Sequence, residues 1–219
     1  MSCAICAVRR PKRLCPGVGG EICSICCGTE REETVSCPLD CEYLRDARRH
    51  EQAGRRQENS TASGRDKLPD TDIRVTDEFL REREDLLAAL GEIVCEAALE
   101  VPGAVDSDVQ DALASLVRTY RTLASGIYYE TLPENAVAAR VFRGVQDKIK
   151  QVRDEEQRRQ GMPVIRDGDL LRCLVFFEQV AFTNNNGRRR GRAFIDLLRN
   201  FAQAQEDQHA ARQSLLVLP

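Results

Sequence analysis

Beyond residue 72, apolar residues recur at helical spacing and polar residues fill the positions between them. Phe79, Leu80, Leu86, Leu87, Leu90, Ile93, Val94 and Ala97 fall mainly on one face of a helix that Thr76 or Asp77 can cap and "PG" at 102–103 ends. Ser107, with Gln110 three residues later, predicts a capping box for a second helix, with Val109, Leu113, Leu116, Val117, Tyr120 and Leu123 inward. Pro133 suits the first turn of a third, whose stripe is Val137, Val141, Val145, Ile149 and Val152. The end of that helix, "RDEEQRRQG", is polar all round and should project into water. A fourth starts near Asp167 or Asp169 and is apolar on most sides, which marks it as the central helix. "TNNNG" ends it, with Gly187 or an Asn available for a left-handed cap. A fifth runs from about residue 190 through Phe194, Ile195, Leu197, Leu198 and Phe201. No internal repeat is visible, and no alternating pattern is long enough for a sheet.

The first 56 residues follow no such rhythm. Eight of the chain's ten cysteines lie there: Cys3, Cys6, Cys15, Cys23, Cys26, Cys27, Cys37 and Cys41. Cys3 and Cys6, like Cys23 and Cys26, form Cys-x2-Cys pairs, and Cys37 with Cys41 forms a Cys-x3-Cys pair. A tight turn between paired cysteines aims two thiolates at one ion, and a structural zinc takes four ligands, so eight thiols suit two ions. The few apolar residues of the segment are too little for a unit of this size to fold by burial alone. Structural zinc, worth ~10 to 16 kcal/mol in small finger peptides, closes that gap. Adjacent Cys26 and Cys27 point in different directions along an extended chain and so suit two different ions. The favoured arrangement is interleaved: Cys3, Cys6, Cys23 and Cys26 on one ion, and Cys15, Cys27, Cys37 and Cys41 on the other. "CPLDCEYLRDARRHE" places the last ligand at the start of a helix, where the helix N-terminus favours thiolate charge. His50 is the spare candidate ligand, though a lone His on an Arg-rich helix is more often solvated. Four-cysteine sets also hold iron–sulfur clusters, but the compact Cys-x2-Cys-x2-Cys-x3-Cys-Pro run is absent.

"CAIC", spaced cysteines and a closing Cys-x3-Cys resemble the interleaved two-zinc, treble-clef-like fingers of the MYND, HIT and B-box kinds. The longer strings "LCPGVGGEICSICCGTERE" and "CPLDCEYLRDARRHE" look closer to a bacterial family of cysteine-rich proteins. The segments "GIYYETLPENAVAARVF" and "GRRRGRAFIDLLR" are similar to that family's helical part. The resemblance spans most of the chain and implies no activity.

Composition adds boundaries and exclusions. "QENSTASGRDKLPDT" at 57–71 has almost nothing to bury and predicts a linker between a module at 1–56 and a helical domain at 72–219. The expected fold class is therefore a small two-zinc treble-clef-like N-terminal module plus an all-α helical bundle of about five helices. Of the 219 residues 42% are hydrophobic and 31% charged, with no Trp, as in a charge-decorated helical protein. The formal net charge of -3 supplies no global field toward nucleic acid or an anionic membrane. "SCAICAVRRPKR" lacks the apolar core of a secretory signal, and "CLVFFEQVAF" is too short to span a bilayer. A cytoplasmic location follows as the expectation, and there clustered thiols stay reduced or bind metal.

Arg188, Arg189, Arg190 and Arg192 fall where the first turn of the fifth helix is expected, a poor place for cations, and are candidates for contact with phosphate, nucleic acid or an acidic partner. Pairing with nearby acids or carbonyls is the plainer reading. "VRRPKR" at 8–13 and "RDARRHEQAGRR" at 45–56 add cationic density, mixed with acids in the second case. Tyr128 and Tyr129 are expected to pack in the turn between helices, and Cys95 and Cys173 to be buried small hydrophobes. Glu178 is a buried-acid candidate without a second titratable group at helical spacing to complete a site. No P-loop, dinucleotide-binding glycine pattern or Ser-His-Asp set is present, and two histidines are few for acid–base work. The expectation is a non-enzymatic zinc-binding protein with two structural ions and a protein partner. Nucleic-acid binding through the arginines and an iron–sulfur redox role are the alternatives; no membrane and no small-molecule substrate are inferred.

Overall fold

The computed structural model describes residues 2–58, 68–161 and 165–215, without the side chains of 52–58 and 208–215. Most of the expected linker, residues 59–67, therefore lies outside the described residues; 57 and 58 close a helix. The chain divides into two compact units, one drawn from residues 1–67 with 185–193 and the other from 68–184 with 194–219.

In the first unit, β1 (Arg13–Cys15) pairs antiparallel with β2 (Gly20–Ile22), Cys15 opposite Gly20. Three residues per strand are too few to register as an alternating pattern, so this hairpin is an addition to the expected elements. Then come α1 (Ser24–Thr29) and α2 (Glu42–Glu58). The core is small: Ile22, Leu39 and Leu44 are buried with Cys3, Cys23 and Cys26, while Val8, Leu14 and Ile25 face solvent. Thiols make up half of that set, so apolar burial alone holds the unit weakly.

The second unit is all helix among the described residues: α3 (Asp77–Glu82), α4 (Glu84–Glu100), α5 (Asp106–Ala124), α6 (Ala136–Gln160), α7 (Asp167–Asn184) and α8 (Ala193–Leu215). These are six helices, not five, because the first expected helix breaks at Arg83, whose φ of -116° and ψ of 26° leave the helical region. Thr76 caps α3 as expected, its hydroxyl accepting from the Phe79 N–H. The cap of α5 falls earlier than Ser107: the Asp108 carboxylate accepts from the Val105 N–H at 3.0 Å. Asn135, not Pro133, opens α6 by accepting from the Val137 N–H, and Gly161 closes it in the left-handed region.

α7 is the central helix, burying Leu170, Cys173, Leu174, Val175, Phe177 and Ala181, and it packs most extensively on α5. Cys95 and Cys173 are buried as expected, and burial pushes both thiols up, Cys173 to about 12. α8 begins at Ala193, and its first amides are met from another helix. Buried Asp106, at the start of α5, accepts from the N–H groups of Phe194 and Ile195 at 3.0 and 3.1 Å. Ile127, Tyr128 and Tyr129, between α5 and α6, are about two-thirds exposed, which corrects the expected packing of the tyrosines.

Candidate metal centre

The first cysteine pair sits in a tight turn closed by the Ala7 N–H, which donates to the Cys3 carbonyl at 2.8 Å, and Ala7 leaves that turn at a positive φ of 55°. The second pair is shaped by α1: Cys23 is its N-cap, with Sγ accepting from the Cys26 N–H at 3.4 Å. The Cys23 N–H in turn donates to Cys3 Sγ at 3.2 Å, tying the pairs together. The sulfurs of Cys3, Cys6, Cys23 and Cys26 all lie within 4.8 Å of one another, and the group can hold a metal ion. Around an ion with metal–sulfur bonds of ~2.3 Å, tetrahedral corners would be about 3.8 Å apart, a small contraction from this arrangement.

The electrostatics suit a cation. The Cys6 backbone N–H, helped by those of Cys23 and Ile5, holds the Cys3 thiol down to about 6 against the opposing push of burial. N–H groups of Arg9 and Val8 lower Cys6 in the same way. Cys26 goes the other way, pushed up to about 12 first by burial and then by the neighbouring thiols. Backbone donors thus favour the thiolate at Cys3 and Cys6, while burial first and the neighbouring thiols second oppose it at Cys26. A bound dication reverses that opposition and draws all four sulfurs into the thiolate form.

Cys15, Cys27, Cys37 and Cys41 do not close to the same degree; among the described residues only the first set gathers within 4.8 Å. They line one narrow recess, walled also by Cys26, Arg13 and Tyr43. Gly17 lets the chain after Cys15 pass close to the segment before Cys37, since a Cβ there would lie 2.7 Å from the Ser36 carbonyl and 2.8 Å from the Val35 side chain. Burial raises the Cys37 thiol, as do the charges of Glu32, Cys15 and Cys41, while the Glu32 backbone N–H opposes them. Cys41 directly precedes α2, its carbonyl accepting from Leu44 and Arg45. Of the vicinal cysteines, Cys26 lies in the first set and Cys27 outside it, and both line the recess. Exposed His50 belongs to neither group.

The four candidate arginines precede α8 instead of occupying its first turn, so they do not oppose its dipole there as expected. They sit in a segment laid on the cysteine unit through Glu32. The Glu32 carboxylate accepts from Arg48 Nη2 at 2.7 Å, Asn186 Nδ2 at 2.8 Å and the Arg192 N–H at 3.0 Å. Its carbonyl accepts from the Arg190 N–H at 2.7 Å. Arg188 donates to the Arg31 carbonyl at 2.6 Å and approaches Glu51 at 3.6 Å. Arg189 and Arg190 are exposed, and Arg188 and Arg192 half-buried.

Sequence reasoning missed Glu32, which sits in an acidic run and reads as solvated. Arg9 and Arg13, which add cationic density in the sequence, both lie near thiols: Arg13 Nη1 donates to Cys27 Sγ at 3.3 Å, and Cys23, with Cys6, raises the Arg9 guanidinium. An arginine just before or within a hairpin flanked by candidate ligand cysteines was the available signal. No protein-family model, curated protein or solved structure matches the chain. None of the helices, among the described residues, is long and apolar enough to cross a membrane.

Proposed function

We propose that this is a zinc-binding interaction protein acting by binding, not catalysis, with an N-terminal treble-clef-like module holding two structural zinc ions. Cys3, Cys6, Cys23 and Cys26 take one ion, and Cys15, Cys27, Cys37 and Cys41 the other. The observation that carries the reading is the convergence of the first four sulfurs in a unit whose core is half thiol. The four cysteines of the second set share one recess, which Cys26 of the first set also reaches, and Cys27 already receives a cationic N–H donor. Thiolate-only donor sets of paired turns favour zinc over harder ions. A cytoplasmic location and kinship with the bacterial cysteine-rich family belong to the same reading.

A protein partner is favoured by apolar side chains left in solvent: Val8, Leu14 and Ile25 on the module, and Ile127, Tyr128 and Tyr129 between α5 and α6. Clustered exposed apolar and aromatic groups are costly unless something covers them. Nucleic-acid binding narrows to Arg189 and Arg190, the two exposed arginines of the candidate set. Metal analysis of the purified chain tests the core of the proposal: two zinc ions per chain in a colourless protein support it, and a brown, iron-containing protein overturns it in favour of clusters. For the partner, cross-linking in cells should yield a protein adduct that Tyr128→Ala with Tyr129→Ala removes. A salt-sensitive shift with RNA or DNA that is lost on Arg189→Ala with Arg190→Ala would move the assignment to nucleic acid.

A further inference from the structure

Arg13 occupies an unusual position. Its Nη1 donates to Cys27 Sγ at 3.3 Å, and its guanidinium carbon lies 4.4 Å from the centre of the Tyr43 ring. Tyr43 follows Cys41 by two residues on α2, so this one side chain of the hairpin touches a thiol on α1 and an aromatic face on α2. Arg13, Arg31 and Tyr43 line the cysteine recess and also a second, open outer recess that includes His50. The Arg13–Tyr43 pair is therefore part of the wall between the thiols and that outer space. A guanidinium can do both tasks at once, because its plane stacks on a ring while its edge donates. Four thiolates around a divalent ion leave a net charge of about -2, which a cationic N–H donor to sulfur offsets. Arg9 lies beside the first set, its guanidinium raised by Cys23 and by the charges of Cys6 and Cys26.

We infer that Arg13, braced on Tyr43, is an outer-shell positioning residue for a zinc ion at Cys15, Cys27, Cys37 and Cys41, holding Cys27 in place and closing it to chelators arriving from the outer recess. The inference rests on the two-zinc reading. It assigns to Arg13 the kinetic retention of one ion and leaves the other to its own shell, with Arg9 beside it.

The test uses the zinc-loaded full chain and a chromogenic chelator, with iodoacetamide present so that each released thiolate displaces iodide and is marked as a thioether for mass spectrometry. Arg13→Ala should release one ion about ten- to a hundredfold faster, the usual range for loss of an outer-shell partner. The first marked residues should be Cys15, Cys27, Cys37 and Cys41. Arg13→Lys, which keeps the charge, should recover part of the retention, and Tyr43→Leu should accelerate the same ion to a smaller extent. Unchanged release from Arg13→Ala, or equal acceleration of both ions, overturns the inference while two-zinc binding stands. A wild-type chain that takes up a single zinc overturns the two-zinc reading and this inference with it.

Discussion

Arg48 Nη2 donates to Glu32 Oε1 at 2.7 Å, with the two side chains only 6% and 2% exposed. Removing one partner of a buried pair leaves an uncompensated charge, at a cost of about 3 to 5 kcal/mol. Glu32→Ala should be the more damaging change, because the same carboxylate also holds Asn186 and the Arg192 N–H. Arg48→Ala leaves Glu32 with those two donors. Urea unfolding compares the variants, and limited trypsin digestion reads the local effect: in Glu32→Ala, cleavage after Arg188 to Arg192 should outpace wild type. Equal stability of the two variants would refute the placement of Glu32 as the anchor.

Metal stoichiometry separates ligands from buried thiols. Cys26→Ser should lose one ion per chain, while Cys95→Ser and Cys173→Ser, set among apolar neighbours of the helical unit, should keep the full complement. A chelator should expose residues 2–58 to proteolysis and leave most of the helical circular dichroism, since few apolar side chains hold the module together.

Glu178 gives the pH dependence of the helical unit. Burial first, and then its neighbour Asp70, push this carboxyl up to about 8, and its Oε2 has no hydrogen-bond partner. The unfolded carboxyl titrates near the ordinary value of about 4.3. Between the two values the folded state keeps a proton that the unfolded state has released, so stability falls as pH rises across that window. The contribution is complete below the unfolded value and gone above about 8. Glu178→Gln, a mimic of the protonated acid, should flatten the melting temperature across the window. A variant whose melting temperature declines as steeply as wild type would show that another group titrates.

The cap that Asp106 provides to α8 is testable in isolation from the cysteines. Asp106→Ala removes the acceptor for two buried amides, Phe194 and Ile195, and should cost about 2 kcal/mol or more in urea unfolding. Ser107→Ala, next to it but exposed, should be nearly neutral.

The helical unit was largely legible because its signal is periodic and local. Val109, Leu113, Leu116, Val117 and Tyr120, read from spacing alone, are all buried. Where the structure departs from the periodic pattern, Val105 is met by Asp108 only three residues on, but at Arg83 and Ala193 the partner lies far along the chain. Arg83 Nε donates to Asp169 across 86 residues, and Asp106 supplies a cap to a helix that starts 87 residues later.

The same division holds for the cysteines. Their pairing into Cys-x2-Cys turns is written in sequence spacing, because a two-residue turn aims both thiols one way, and it correctly gathered Cys3, Cys6, Cys23 and Cys26. Only the tertiary structure turned Arg13 from a basic patch onto Cys27, and buried Glu32 under Arg48, Asn186 and the backbone of Arg192. A charge is buried only where partners converge on it in space, and no spacing rule along the chain records a convergence across 160 residues.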